Sequence, residues 1–186
     1  MATTAQSVAD VCRAARRASR EMARLDTVTK DRALSAIADA IDARAPEILE
    51  ANARDMEAAS DEIPALRDRM RLDEARVAAI AEGVRAIVAL RDPVGEVIEG
   101  FRLPNGLDVR RVRVPLGVVA VVYEARPNVT IDCTALALKS GNAIVLRGSS
   151  QVTHSNSMLA AIAVEAATGA GVPDGAIGLV DVGGRE

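Results

Sequence analysis

The N-terminal half of the chain carries apolar residues at intervals of three and four, the spacing of helices with one buried face. The pattern predicts four helices, at residues 5–25, after a cap at Thr27 or Thr29, at residues 47–59, and from Leu72–Asp73 onward. A polar break is predicted at residues 60–64, and Asp92–Pro93 ends the fourth helix because a residue before proline avoids helical geometry. We interpret residues 1–93 as a helical segment that packs on the domain that follows.

Two extended runs then flank Asn105-Gly106, and Asn-Gly between extended runs is typical of a β-hairpin. The second run, residues 108–113, is charged on both faces, so it cannot be a core strand. Its arginines could bind an anion, although charge runs more often form a solvated or interface face. A lone hairpin is only marginally stable. Residues 94–114 are therefore predicted to be an arm that is either a solvated edge or a contact with another subunit.

After the arm, short apolar runs alternate with segments whose apolar residues recur at helical spacing. The predicted elements are strands at residues 117–122, 143–146 and 177–181 and helices at residues 131–139 and 157–168. The first strand is almost continuously apolar and β-branched, which predicts burial on both faces, as in a parallel sheet. The predicted fold class is α/β, with residues 115–186 forming the first half of a doubly wound, Rossmann-like parallel sheet.

Polar residues collect where the predicted strands end, at residues 124–128 and again at residues 147–150. In open α/β sheets, ligands bind at the carboxyl edge of the strands. The chain stops soon after the third strand, where a further helix is expected, so we expect a fragment or a truncated product. One edge of so short a sheet would otherwise stay open.

Composition narrows the function classes. The net charge of −3, with a single Tyr and a single Phe, argues against a nucleic-acid partner, since there is neither a basic surface nor a stacking platform. The chain shows no secretory signal and no apolar run of membrane-spanning length, so a cytoplasmic protein without a membrane partner is expected. Two cysteines and one histidine do not match a zinc site, and no metal is expected.

The segment YEARPNVTIDC at residues 123–133, followed by LKSGNAIVLRG at residues 138–148, resembles the nucleotide-binding core of the gamma-glutamyl phosphate reductase family. These enzymes, also called glutamate-5-semialdehyde dehydrogenases, belong to the aldehyde dehydrogenase superfamily. RMRLDEARVAAIAEGVRAIVALRDPVGEVIEG and RRVRVPLGVVAVVYE fit the same family, so the likeness spans essentially all 186 residues. Generic aldehyde dehydrogenases usually carry Trp-Asn where this chain has Pro127-Asn128, which favours the reductase branch.

The resemblance implies NADPH-dependent reduction of L-glutamyl 5-phosphate to the semialdehyde, the second step from glutamate to proline. A cysteine thiolate attacks the acyl phosphate, and the thioacyl-enzyme accepts hydride. The family combines a cofactor domain, a catalytic domain and an oligomerisation hairpin. The resemblance therefore implies a homo-oligomer through residues 94–114, and a functional association with glutamate 5-kinase is a further implication. The nucleophile would lie beyond residue 186, so this N-terminal portion is expected to be inactive alone.

Two residues of the polar elbow at residues 124–128, between the first strand and the helix after it, are candidates for the chemistry. The sequence pattern alone favours Asn128 as a helix cap, but the resemblance reverses this, since Asn128 matches the asparagine whose amide stabilises the oxyanion. Arg126 could clamp a phosphate beside the helix N-terminus, or it could pair with Glu124.

The resemblance places cofactor contacts at five positions: Ala125, Arg147, Gly148, Ser149 and Ser150. NAD-preferring relatives often carry a glutamate in place of the two serines, and a carboxylate would repel a 2′-phosphate. Arginine and hydroxyl groups accept one, which favours NADP(H). Relatives in the reductase family often have Lys where this chain has Ser150, a departure that weakens this argument.

Three further residues are not assigned to the chemistry. Cys133 is interpreted as an inert packing residue and Cys12 has no partner in view. His154 begins a helix and is expected to have a surface or capping role. Two other hypotheses stay open: a non-catalytic nucleotide-binding or assembly module, and a dehydrogenase acting on a different acid.

Overall fold

A three-stranded parallel sheet with helices on both faces follows a helical segment and a hairpin in the computed structural model, which describes residues 7–180. The helices are α1 (Val8–Met22), α2 (Thr27–Ala43), α3 (Ala45–Ala58), α4 (Pro64–Met70), α5 (Glu74–Val88), α6 (Asn128–Lys139) and α7 (Thr153–Gly169). The strands are β1 (Val97–Arg102), β2 (Asp108–Val112), β3 (Val118–Val122), β4 (Ala143–Arg147) and β5 (Ile177–Leu179). The start of the predicted first helix and the predicted truncation at residues 181–186 lie outside the described residues.

The helical segment differs from its prediction in two local features. Asp26, not Thr27 or Thr29, caps α2, since its carboxylate accepts from the backbone N–H of Thr29 at 2.7 Å. The helix α4 was not predicted, because its seven residues are too few to show a helical period. Its start still follows a local rule, with Pro64 in the first turn.

The sheet order is β3-β4-β5, all parallel, so β4 lies in the centre. Successive residues of β4 face opposite layers: Ile144 and Leu146 join the main core with α6 and α7, while Ala143 and Val145 pack with Val11 of α1. On the outside of α6 and α7 lie α2, α3 and α5, which close the main core. The α/β fold class is thus confirmed.

The prediction that β3 is buried on both faces is wrong. Val118 and Val122 point to the same face and are exposed, Val122 by 82%. Among the described residues β3 pairs only with β4, and α1 lies mainly over β4 and β5. An apolar run shows that a strand can be buried, but it does not reveal whether its place in the sheet is central or at the edge.

The predicted hairpin is present, with β1 and β2 antiparallel and Gly106 at a φ of +87° in the turn. Every residue of β1 is exposed, and in β2 only Val109 is partly covered. An arm exposed on both faces contributes little to the core of the chain that carries it. Its role in assembly stays a prediction.

Candidate functional site

The elbow after β3 brings the start of α6 to the carboxyl edge of the sheet. Val122 at the end of β3 pairs with Arg147 at the end of β4, and the N–H of Tyr123 donates to the Arg147 carbonyl oxygen at 3.0 Å. The two polar clusters that the sequence placed after successive strands therefore start from the same edge of the sheet. This is the edge at which ligands bind in open α/β sheets.

A cleft of about 420 Å³ opens beside the first turn of α6. Its other wall comes from α4, the loop after it and the start of α5. The cleft brings Arg126 and Asn128 together, but the loop at residues 147–150 is not part of its lining. The lining residues are Asp68, Arg69, Arg71, Leu72, Arg76, Ala79, Ile80, Arg126, Asn128 and Asp132.

Asn128 is half-buried and is the first residue of α6. Its amide nitrogen donates to a carboxylate oxygen of Asp132, one turn further along the helix, at 2.8 Å. Pro127 occupies the capping position, and no side chain of the described residues caps this helix, so the interpretation of Asn128 as a cap is wrong. An amide nitrogen carries two N–H groups. One therefore remains for an oxygen atom in the cleft.

Asp132 is a half-buried acid with no ion pair among residues 7–180. Burial raises the pKa of its carboxyl above the ordinary value, and the hydrogen bond from Asn128 offsets only part of that effect. Burial, and then the neighbouring Asp132 charge, also raise the pKa of the Cys133 thiol. A thiol whose thiolate is disfavoured is a poor nucleophile, which supports its interpretation as a packing residue.

The side chain of Arg126 is exposed and makes no hydrogen bond or ion pair within the described part of the chain. The predicted alternative, a pair with Glu124, is not formed. Glu124 instead has its carboxylate 3.8 Å from Arg69, and its carbonyl oxygen accepts from the backbone N–H of Arg126 at 2.7 Å. Arg126 is thus a cation at the cleft whose nearest acid in sequence is engaged elsewhere.

Three more arginines in the cleft were not predicted, because they come from α4, its following loop and α5. Arg76 is fixed, donating to Asp68 at 2.8 Å and to the Arg71 carbonyl oxygen at 2.8 Å. Arg69 and Arg71 approach carboxylates only at 3.8 Å, beyond hydrogen-bond range. The only signal in the sequence was the charged run RDRMR at residues 67–71.

A buried polar network from α3 holds this arginine-bearing loop, and it too was missed. The amide of Asn52 donates to the Met70 carbonyl oxygen at 2.8 Å and accepts from the Leu72 N–H at 2.7 Å, one residue on either side of Arg71. It also donates to the hydroxyl of Ser155 at 3.0 Å. The loop is therefore anchored to the rigid helix pair α3 and α7.

Asp55 lies one turn further along α3 and caps the N-terminus of α7, although it belongs to a different helix. Its carboxylate accepts from the backbone N–H groups of His154 and Ser155 and from the Ser155 hydroxyl at 2.6–3.1 Å. The His154 side chain is exposed, so this residue is capped rather than capping. Asp55 is 3% exposed, and the positive end of α7 compensates its burial.

The residues predicted to contact the cofactor form a second group. Arg147 donates to the Val180 carbonyl oxygen at 3.0 Å, and Ser149 accepts from the N–H of Gln151 at 3.3 Å, while Ser150 is exposed. The Ala125 side chain is buried beside Ala59, Met70 and Val152, so only its backbone can reach a ligand.

Gly148 allows a close approach in this loop. A Cβ atom there would lie 2.1 Å from the Asn156 amide nitrogen and 3.1 Å from the Tyr123 ring. The same Asn156 accepts from Thr130, whose hydroxyl lies 2.7 Å from the Tyr123 hydroxyl. The loop is thereby held against both β3 and α7.

The loop with its hydroxyl groups fits the sugar or phosphate of a nucleotide, but an unpredicted carboxylate lies beside it. Gln151 donates to Glu62 at 2.5 Å, so the side chains near residues 147–151 include an acid that the local sequence does not reveal. No cluster of three His, Cys, Asp or Glu side chains suited to a metal occurs within residues 7–180. In the same part of the chain, no helix is both long and apolar enough to cross a membrane.

The chain matches the family model described as "Aldehyde dehydrogenase family" over residues 1–186. It is 51% identical over 186 residues to the gamma-glutamyl phosphate reductase of Kineococcus radiotolerans, covering 99% of this chain and 43% of that protein. The reductase of Koribacter versatilis is 54% identical over 173 residues, covering 93% and 41%. The crystal structure of the Thermotoga maritima reductase superposes with a TM-score of 0.91 at 36% identity, covering 95% of this chain and 43% of that one. The chain thus spans less than half the length of these relatives, and the predicted resemblance is confirmed.

Proposed function

The chain belongs to the aldehyde dehydrogenase family, and from this premise we propose that it supplies part of a gamma-glutamyl phosphate reductase. The reaction would be NADPH-dependent reduction of L-glutamyl 5-phosphate to L-glutamate 5-semialdehyde with release of phosphate, a step of proline biosynthesis. The observation that carries the proposal is the convergence of Arg126 and Asn128 on one cleft at the carboxyl edge of the sheet. A neutral donor and a cation at one position suit an acyl phosphate.

In this reaction a cysteine thiolate from outside residues 1–186 attacks the acyl carbon. Negative charge then develops on the carbonyl oxygen, and the second N–H of the Asn128 amide stabilises it. Arg126 neutralises the departing phosphate as the acyl–oxygen bond breaks. When bound, the cofactor supplies the hydride that reduces the resulting thioester to the aldehyde. The carbon–sulfur bond breaks and the thiolate is restored.

We further propose that the cofactor is held by Arg147, Gly148, Ser149 and Ser150, with a backbone contact at Ala125. Electrostatics favour NADP(H), since the arginine and the hydroxyl groups suit a 2′-phosphate. Glu62 beside this loop acts in the opposite sense. The proposal extends to a cytoplasmic homo-oligomer assembled through residues 94–114, and to an association with glutamate 5-kinase.

The experiment is a comparison of the 186-residue chain with the complete reductase that contains it. The complete enzyme should oxidise NADPH in the presence of L-glutamyl 5-phosphate, faster than NADH. The chain alone should bind NADPH without turnover. Turnover by the chain alone would contradict the placement of the nucleophile outside it. A well-folded oligomer without affinity for NADPH would favour the non-catalytic assembly module instead.

A further inference from the structure

The cleft contains charged groups that the proposed chemistry does not use. Asp132 is a half-buried carboxylate whose described partner is the neutral amide of Asn128. Across the cleft, Arg69 and Arg71 make no hydrogen bonds through their guanidinium groups within residues 7–180. The cleft therefore offers an acid and two cations in addition to Arg126 and Asn128.

The spacing of these groups suits an amino acid. The Asn128 amide nitrogen and a carboxylate oxygen of Asp132 are 2.8 Å apart, and two ligand groups that each bind one of these atoms at about 2.9 Å can lie about 5 Å from each other. In an extended glutamyl chain, the acyl carbon and the α-nitrogen are separated by four bonds of roughly 1.5 Å each, so about 5 Å in space. An acyl carbon beside Asn128 thus leaves the α-ammonium beside Asp132.

The charge of the cleft favours such a ligand. Four arginines and two aspartates line it, and Glu124 and Asp73 lie 3.8 Å from two of the arginines, so the cleft offers charges of both signs to a ligand that carries both. Burial disfavours the charged form of Asp132, as its raised pKa shows, and a cation at the carboxylate would compensate for this. Arg71 is well placed on the other wall because Asn52 fixes the residues on both sides of it.

We propose that this cleft recognises the α-amino acid end of the substrate, with Asp132 accepting from the α-ammonium and Arg71 binding the α-carboxylate. The assignment rests on the proposed function, which places the acyl phosphate at Asn128 and Arg126. It explains why Asp132, which has no cationic partner within residues 7–180, shares a cleft with two arginines whose guanidinium groups can still form hydrogen bonds.

The test uses three probes: L-glutamate, glutarate, which lacks the ammonium, and 4-aminobutyrate, which lacks the α-carboxylate. Their binding to the 186-residue chain is measured by NMR titration. The unmodified chain should prefer L-glutamate to glutarate. Asp132→Asn should lower the affinity for L-glutamate about tenfold and leave the affinity for glutarate unchanged, because a charged hydrogen bond is lost only with the probe that carries an ammonium group.

Arg71→Gln should lower the affinities for L-glutamate and glutarate about tenfold and leave the affinity for 4-aminobutyrate unchanged. Arg91→Gln, at an exposed arginine outside the cleft lining, is the matched control and should change none of the three. Thermal unfolding of each variant shows whether it folds. Equal binding of L-glutamate and glutarate by the unmodified chain overturns the proposal. So does an equal effect of Asp132→Asn on both probes, which would mean that Asp132 only orients Asn128.

The complete reductase separates this proposal from the proposed function. There, Asp132→Asn should raise the KM for L-glutamyl 5-phosphate about tenfold with little change in kcat, because the new amide oxygen can still accept from Asn128 and keep it in place. If the unmodified enzyme reduces this substrate and the KM does not change, recognition by Asp132 fails alone. If the enzyme does not reduce this substrate but the chain binds L-glutamate through Asp132, the proposed function fails and the recognition site stands.

Discussion

The amide of Asn128 donates to the carboxylate of Asp132 at 2.8 Å, so the candidate oxyanion donor and a half-buried acid form one unit. Two properties follow from this contact. The acid fixes which end of the amide carries the N–H toward the cleft, and the amide moderates the cost of burying the acid. A change in either residue should therefore be measurable at the other.

Removing the amide should raise the pKa of Asp132 further. Burial already raises this pKa above 3.8, and the Asn128 hydrogen bond is the group that lowers it. In Asn128→Ala, carbon-13 NMR of the aspartate carboxyls should show Asp132 titrating at higher pH than in the unmodified chain. Asp26 is an internal control, since the backbone hydrogen bond from Thr29 keeps its pKa below 3.8 in both proteins.

The same shift determines how stability depends on pH. An acid whose folded pKa is raised contributes stability below its unfolded pKa and loses that contribution as pH rises through the folded value. Asn128→Ala should therefore cost more free energy of unfolding at neutral pH than at acid pH. An Asp132 pKa unchanged by the substitution would contradict the assigned hydrogen bond.

In the complete reductase, Asn128→Ala should lower kcat by roughly 10²–10³-fold, the usual effect of removing one oxyanion donor. NADPH binding should stay the same, because Asn128 is not part of the loop at residues 147–150. Pre-steady-state release of phosphate and steady-state NADPH oxidation are the measurements. A normal kcat would remove Asn128 from the catalytic residues.

Removing one partner of the buried pair formed by Lys30 and Asp92 should strongly destabilise the helical segment. Lys30 is 1% exposed, and its ammonium lies 2.5 Å from the Asp92 carboxylate. Asp92→Asn leaves that ammonium without its counter-charge and should cost about 3–5 kcal/mol in urea unfolding. Asp10→Asn, which breaks an exposed pair with Arg13, is the control and should have little effect. A small effect in both would show that Lys30 is not held by Asp92.

Acid should weaken this pair. Burial of the Asp92 carboxyl raises its pKa, but hydrogen bonds from Lys30, Thr27 and the N–H of Val94 outweigh that effect and bring the pKa below 3.8. Stability from a lowered pKa is present above the unfolded value and is lost as pH falls through the folded one. The difference in stability between the unmodified chain and Asp92→Asn should therefore shrink below about pH 4.

Gly148→Ala and Gly83→Ala should have opposite effects. A Cβ at Gly148 would lie 2.1 Å from the Asn156 amide, which must move and release its bond to Thr130. At Gly83, inside α5, no heavy atom of residues 7–180 lies within 4 Å of the added carbon apart from those of the adjacent helix backbone. Urea unfolding should show Gly148→Ala destabilised by roughly 1–3 kcal/mol and Gly83→Ala stabilised by roughly 0.5–1 kcal/mol. Equal effects would contradict the close packing at Gly148.

Ser150→Glu should shift the cofactor preference from NADPH toward NADH. Ser150 is exposed, so the substitution adds a carboxylate without disturbing the core. Repulsion of the 2′-phosphate should lower the affinity for NADPH about tenfold and leave the affinity for NADH unchanged, as measured by fluorescence titration of the 186-residue chain. Ser150→Gln, of similar size but neutral, should bind both cofactors as the unmodified chain does. Parallel losses for both cofactors in the glutamate variant would place the 2′-phosphate elsewhere.

The sequence alone determined those features that depend on neighbours along the chain. The α/β class followed from the helical spacing of apolar residues, the Asn105-Gly106 turn and the alternation of strands and helices. The elbow placed Arg126 and Asn128 close together. These features follow from side-chain period and turn chemistry, which act over a few residues. Local elements of this kind can therefore be predicted from the sequence without a structure.

Tertiary packing decided which distant residues share the cleft. Arg71 shares the cleft with the start of α6 while Asn52 anchors its loop, and Glu62 accepts from Gln151 beside the loop at residues 147–150. The exposure of one face of β3 could not be predicted either, since an apolar run does not indicate which strands lie next to it in the sheet. Such contacts join residues tens of positions apart, and their geometry is fixed by how whole helices pack rather than by any local spacing.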